Sequence, residues 1–296
     1  MSPATGATGP ARRVDAHHHL WDVSAGTPDW LTDPALAPLR RTFAPADLHE
    51  VVAPAGIGAS VLVQTEGSAA ETADMLAVAA ADPVIGAVVG WVDLTSATVS
   101  DDLAAALAGP GGEGLRGIRH QVQGEPDDRW LCRPDVLRGL RAVAAAGLCY
   151  DLLTLVHQLP AAIAAVDAVP ELEFVLDHCS KPPVASGATE PWASLVRELA
   201  LRPNVTVKLS GLVTEADWGR WRTADLAPYA DVVLDAFGPD RVMAGSDWPV
   251  CLLAASYQQV ADTTADLLAG LSQAERDAVL GGTASRVYGL GEPLPT

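Results

Sequence analysis

A chain of 296 residues, 49% of them hydrophobic, is long enough to bury a large core, and α/β barrels reach this size as one domain. Nineteen Lys and Arg against 37 Asp and Glu leave a net charge of −18, which argues against nucleic acid or an anionic membrane surface as partner. No apolar run approaches the ~20 residues of a membrane span, and the first residues lack the apolar core of a signal peptide, so the expectation is a cytoplasmic protein with a disordered tail over residues 1–13 and one domain over residues 14–296.

In chain order, Val14-Asp15-Ala16-His17-His18-His19-Leu20-Trp21 reads as a first strand and its end. Side chains two apart on a strand point the same way, so His17 and His19 are expected to face one side and His18 another. Two neutral imidazoles converging on one point suit a divalent metal or a substrate carbonyl that needs polarising. Residues 22–44 carry Trp30 and several prolines without sustained periodicity, the pattern of a long functional loop. A short helix over Ala46–Ala53 leads to a strand over Ala59–Gln64 and an alanine-rich helix over Ala69–Ala81, stopped by Asp82-Pro83.

The strand-then-helix alternation continues: strand Val84–Val92 with helix Asp101–Ala108, strand Leu115–His120 with helix Pro134–Ala146, and strand Leu148–Leu155 with helix Leu159–Val169. Strand Glu173–His178 and helix Pro191–Leu201 follow, then strand Val205–Ser210 with helix Leu226–Phe237, and an eighth strand over Arg241–Trp248. Spread over about 230 residues, these units average about 33 residues, which suits the roughly 30 that a strand–helix–strand unit needs. A distorted, TIM-type (β/α)8 barrel is the expected fold. An open doubly wound sheet would want a glycine-rich turn after the first strand, and Ala16-His17-His18-His19 is not one. Beyond the barrel, the capping box Ser272-Gln-Ala-Glu275 opens a helix to Leu280, and another is expected over Thr283–Gly289. The four cysteines form no CxxC and point to reduced thiols.

In a barrel, polar residues at the carboxyl ends of the strands share one mouth. That places His17 and His19, Arg119 and His120, His157, His178, Lys208 and Asp247 together, with Trp21, Trp91, Trp130, Trp218, Trp221 and Trp248 as candidate walls. Arg119 and His120 alternate, so one of them faces the pocket. Lys208 on an apolar strand is costly to bury unpaired.

The set Asp15-x-His17-x-His19, His178 and Asp247 resembles the amidohydrolase superfamily. More narrowly, Gly117-Ile-Arg-His-Gln121, Tyr150-Asp-Leu-Leu153, His157-Gln-Leu-Pro160, Leu176-Asp-His-Cys-Ser-Lys-Pro-Pro183 and Gly245-Ser-Asp-Trp-Pro249 resemble the lactonase branch of its amidohydrolase-related family 2, which includes L-fuconolactonases, L-rhamnonolactonases and, more distantly, 2-pyrone-4,6-dicarboxylate lactonases. The resemblance spans residues 14 to about 290. It implies hydrolysis of a small sugar-acid lactone, with Asp247 as base and with His17, His19 and His178, or a metal they hold with Asp247, polarising the carbonyl. Arg119 or His120, His157, Lys208 and Trp248 would grip the substrate. Relatives with two bridged metals use a lysine or carboxylate late on strand four; here strand four carries Arg119 and His120, and the chain's two lysines, Lys181 and Lys208, lie elsewhere. One divalent ion, zinc, or a metal-independent site is therefore expected, in a monomer or homodimer. Two alternatives stay open: non-oxidative decarboxylation of an aromatic or muconate-type acid, and a barrel that binds without catalysis.

Overall fold

The computed structural model describes residues 12–24, 26 and 29–291. The tail expected over residues 1–13 lies outside the described residues apart from Arg12 and Arg13, and Arg13 already opens a strand. Among the described residues eight strands run in sequence order around one parallel sheet: β1 (Arg13–His18), β2 (Ile57–Val63), β3 (Ile85–Gly90), β4 (Leu115–His120), β5 (Cys149–Leu152), β6 (Phe174–Leu176), β7 (Val205–Leu209) and β8 (Val242–Ala244). The sheet closes where the Asp247 amide donates to the His17 carbonyl at 2.8 Å and the His19 amide to the Trp248 carbonyl at 2.7 Å. Such closure covers the seam between the first and last strands at the mouth end. The chain is a (β/α)8 barrel.

Helices α1 (Pro45–Val52), α2 (Ala69–Ala81), α3 (Val99–Ala108), α4 (Pro134–Ala145), α5 (Leu159–Ala168), α6 (Trp192–Ala200) and α7 (Thr223–Phe237) follow the first seven strands or precede the second, as the alternation predicts. Their apolar spacing explains their docking: α4 buries Val136, Leu140 and Val143 along one stripe, and α6 buries Trp192, Val196 and Leu199. Helix α8 (Tyr257–Leu267) was not expected, although the Ser256 hydroxyl accepts the Gln259 amide in a capping box that the sequence displays. The chain ends in α9 (Gln273–Asp277), capped by Ser272 as expected, and α10 (Thr283–Val287). No described helix is long and apolar enough to cross a membrane.

Strands β6 and β8 are shorter than expected. β6 stops at Leu176, and His178, Cys179, Ser180 and Lys181 then take positive φ values of 50°, 52°, 57° and 50°. β8 stops at Ala244, and Asp247 has a φ of 57°. Left-handed backbone at non-glycine residues is uncommon and costs about 1–3 kcal/mol each, so it persists where surrounding bonds over-determine it. They do so here. Lys181 N donates to His178 O at 2.8 Å, Trp192 Nε1 to Cys179 O at 2.6 Å, and Cys251 N to Asp247 O at 2.9 Å.

A bulge in β1 decides which of its residues face the barrel axis. Asp15 pairs with Ser60 and His18 with Leu62, so β1 takes three steps where β2 takes two. Asp15 therefore points outward, where its carboxylate accepts from Ser246 N at 2.8 Å, Ser246 Oγ at 2.6 Å and Tyr257 Oη of α8 at 2.9 Å. His17 points inward, one residue later than strict alternation from Asp15 would allow.

The interior is layered. Val14, Ala16, Ala59, Val61, Val89, Val175 and Met243 form an apolar layer, closed by Ala284, Tyr288 and Leu290 of the C-terminal segment. Above it lies a layer of charge: Arg119 of β4, Asp151 of β5, Asp177 just after β6 and Lys208 of β7, none more than 2% exposed. Above that is the mouth.

Candidate active site

Lys208 Nζ lies 2.5 Å from Asp151 Oδ2, 2.9 Å from Asp177 Oδ1 and 3.1 Å from His17 Nδ1. Arg119 Nη1 donates to Asp177 Oδ2 at 2.9 Å, and its Nη2 donates to the carbonyl and the side-chain oxygen of Gln64. Two cations thus meet two carboxylates out of water, with the Tyr288 hydroxyl donating to Asp151 at 3.0 Å. Burial alone would raise the Asp177 pKa, but Lys208, His17 and Arg119 outweigh it and hold the carboxyl well below its ordinary range. Asp151, for which burial prevails over Lys208, is pushed up to about 6. This platform fixes His17 from below.

At the mouth, His17, His178 and Asp247 offer ligand atoms that all lie within 4.8 Å of one another. His17 Nε2 and His178 Nε2 each lie 3.8 Å from Asp247 Oδ1, and His19 Nε2 lies 3.4 Å from it. The His19 ring is oriented by its Nδ1, which can only donate to the Val63 carbonyl, at 2.7 Å; in the neutral ring Nε2 then presents a lone pair. His17 Nε2 stands 3.1 Å from that lone pair. Lys208 Nζ faces His17 Nδ1 at 3.1 Å and Arg119 Nη1 faces its Nε2 at 3.3 Å, so a cationic donor stands at each ring nitrogen of His17. With its proton on Nδ1, His17 would face Asp177 Oδ1 at 3.4 Å and leave Nε2 free for a cation. His178 Nδ1 lies 2.8 Å from Ser210 Oγ, which can donate or accept. Burial, and then Lys208, lower the His17 pKa well below its ordinary value, and burial lowers that of His178 to about 4, so both imidazoles are neutral at pH 7. Burial would raise Asp247, yet His178 and His19 prevail and keep it below the usual carboxylate range.

Two imidazoles and a carboxylate, with the Asp177 carboxylate behind the His17 ring and the Ser210 hydroxyl behind the His178 ring, fit a divalent ion of the borderline type. His19 lies at the edge of this set. It is close to His17 and Asp247 but falls outside the three-residue group whose ligand atoms lie within 4.8 Å of one another.

A cavity of about 360 Å³ opens over these groups, lined by His19, Arg119, His178 and Asp247 and, around them, by Trp30, Gln121, Gln123, Lys181, Glu215 and Trp218. Its size is at the small end of ligand sites. The remaining sequence candidates lie elsewhere. His120 points away from Arg119, accepts from Trp91 Nε1 at 3.1 Å, contacts Glu125 at 2.7 Å and stacks on Trp130. His157 sits on an exposed turn 3.2 Å from Asp128. Lys208 is wholly buried in the charge layer and cannot reach a ligand in the cavity. Trp248 is buried against Phe43, and of the six candidate wall tryptophans Trp218 lines the cavity, joined by Trp30 from the 22–44 loop. Asp151 and Asp177 join the site from β5 and from the residue after β6, and a carboxylate beside an apolar strand carries the same sequence signal as Lys208.

The amidohydrolase family model matches residues 14–290. The chain belongs to the amidohydrolase family. Among curated relatives, an L-fucono-1,5-lactonase of Burkholderia multivorans is 42% identical over 294 residues, covering 96% of this chain and 98% of that protein. An L-fucono-1,5-lactonase of Burkholderia ambifaria is 36% identical, over 95% of this chain and 97% of its own length. A crystal structure of a Burkholderia multivorans amidohydrolase with bound zinc matches with a TM-score of 0.89 at 41% identity, covering 95% of this chain and all of that one. In this amidohydrolase the inward position at the end of β4 is Arg119, engaged with Asp177, and no lysine or carboxylate stands there to bridge two metals.

Proposed function

We propose that this amidohydrolase opens the ring of a small sugar-acid lactone, with L-fucono-1,5-lactone as the leading substrate. The observation that carries the reading is Asp247: a buried, ionised carboxylate at the cavity floor, faced by three imidazoles. Asp247 Oδ1 accepts a proton from water as the water oxygen attacks the lactone carbonyl carbon. The tetrahedral intermediate collapses by cleavage of the bond from that carbon to the ring oxygen, and the ring oxygen takes the proton back from Asp247. The product is a hydroxy acid, which releases a proton to solution at neutral pH. In the tautomer that leaves His178 Nε2 protonated by drawing a hydrogen bond from Ser210 into Nδ1, His178 donates toward the carbonyl oxygen as negative charge builds there.

His17, His178 and Asp247, with His19 beside them, are the residues that would hold a zinc ion. Bound there, such an ion supplies Lewis acidity to a carbonyl and lowers the pKa of water. Arg119 keeps His17 and Asp177 in place; both ends of its guanidinium are engaged, which leaves it little capacity to grip substrate. The whole-chain similarity to two proteins named as lactonases weighs against the decarboxylase reading. Proton release over a panel of aldono-1,4- and 1,5-lactones is the test. Turnover of neutral deoxy-aldonolactones is expected. Release of carbon dioxide from aromatic acids, with every lactone left intact, would overturn the reading.

A further inference from the structure

The cavity contains one pair of charges that the ring-opening chemistry does not use. Lys181 Nζ and Glu215 Oε1 lie 3.8 Å apart, with side chains 25% and 26% exposed. The separation exceeds a direct hydrogen bond and suits a bridging hydroxyl. Neither side chain has another hydrogen-bond or ion-pair partner among the described residues, so the ammonium keeps unused donors and the carboxylate unused acceptors. Both are placed by rigid backbone. Lys181 ends the left-handed turn that begins at His178, and Glu215 follows β7 by six residues, with its carbonyl accepting from Ala185 N at 2.9 Å and so tying the two loops together.

The other charges around the cavity are already balanced or negative. Arg119 is neutralised by Asp177, and Asp247 adds a negative charge beside His19 and His178. A ligand carrying a carboxylate would meet Glu215 and Asp247 as well as Lys181, whose charge Glu215 already offsets. The −18 net charge of the chain repels such an anion at longer range as well. A vicinal diol, in contrast, can donate to Glu215 and accept from Lys181 at once.

Resting on the lactonase reading of the same site, we infer that the Lys181–Glu215 pair is the specificity device of the cavity, holding two neighbouring hydroxyls of an uncharged polyhydroxylated lactone and excluding lactones that bear a carboxylate. The same charges repel the hydroxy-acid anion formed on ring opening and favour its departure.

The test uses the full-length protein and two ring-closed amides that resist hydrolysis, glucono-1,5-lactam and glucaro-1,5-lactam, which differ by one carboxylate. Calorimetric titration at low salt is expected to show the neutral lactam bound at least about tenfold more tightly by the wild type, the scale of one charge-assisted hydrogen bond. Glu215→Gln is expected to shrink that ratio about tenfold by strengthening the carboxylated lactam, and Lys181→Met to widen it. The inference is overturned if the wild type binds both lactams within about twofold, or if the two substitutions move the ratio in the same direction. Lactone hydrolysis measured on the same wild-type preparation separates the two readings. Lactam discrimination without ring opening removes the lactonase reading alone, and ring opening without discrimination removes this inference alone.

Discussion

At His178 and Asp247 the side chains proposed to carry the chemistry stand on left-handed backbone, and Gly211 packs closely against His178. A methyl group on Gly211 would come within 2.8–3.0 Å of the His178 side chain, at a φ of +68° that a side chain disfavours. Gly211→Ala is therefore expected to push His178 off its line to Asp247 and to lower kcat/KM about a hundredfold, since misplacement by about an ångström costs that much. A variant that melts like the wild type and turns over at the wild-type rate would show that His178 needs no such placement. His18 makes a second prediction. It is fully buried, neither ring nitrogen has a hydrogen-bond partner among the described residues, and burial lowers its pKa to about 3. The unfolded chain takes up this proton near pH 6.5 and the folded one does not, so stability is complete above pH 6.5 and falls as pH drops toward 3. His18→Phe is expected to reduce the slope of unfolding free energy against pH between 4 and 6 by as much as one proton, about 1.4 kcal/mol per pH unit. An unchanged slope would mean that His18 is protonated in the native state.

The elements carry these residues through two features: the bulge in β1 and the buried charge layer. The layer is stable because it is complete. Lys208→Met would leave Asp151 and Asp177 facing each other without their common cation, and a loss of about 3–5 kcal/mol in denaturant unfolding at pH 7 is expected. The loss should shrink below pH 5, where Asp151 is protonated, and a loss under about 1 kcal/mol at pH 7 would show the carboxylates to be satisfied without Lys208. Much of the element order was legible because each strand is an apolar run followed by a helix with a visible start or stop, such as Pro134 or Asp82-Pro83. The pairing of His17 with His19 followed from alternation. What alternation could not show is that Asp15 belongs to the opposite face, because one inserted residue in β1 is invisible in a sequence of small and polar side chains. The turn at His178 was hidden for a similar reason: left-handed backbone usually signals itself by glycine or asparagine, and Asp-His-Cys-Ser-Lys has neither. Alternation on β4 leaves open which of Arg119 and His120 faces the pocket, and the sequence does not show that Asp151 and Asp177 wait to pair Lys208 below it.

For the whole molecule, closure of the barrel through Asp247 N and His17 O brings the first and last strands together, so residues 230 positions apart share one carboxylate-and-imidazole floor. A cation held there is linked to global stability. If zinc binds through His17, His178 and Asp247, zinc at about a hundred times its Kd adds about 2.7 kcal/mol to unfolding, and His178→Ala removes most of that gain; equal stabilisation of both proteins would place the ion elsewhere. Catalysis, however, is assigned to Asp247. The most direct measurement is kcat/KM of wild type and Asp247→Asn for a neutral aldono-1,5-lactone, followed by proton release, beside a thermal melt of each. A fall of about 10²–10⁴, the usual worth of a positioned acid–base group, with the fold retained is expected. Asp247→Asn protein that opens the lactone at the wild-type rate would contradict the account.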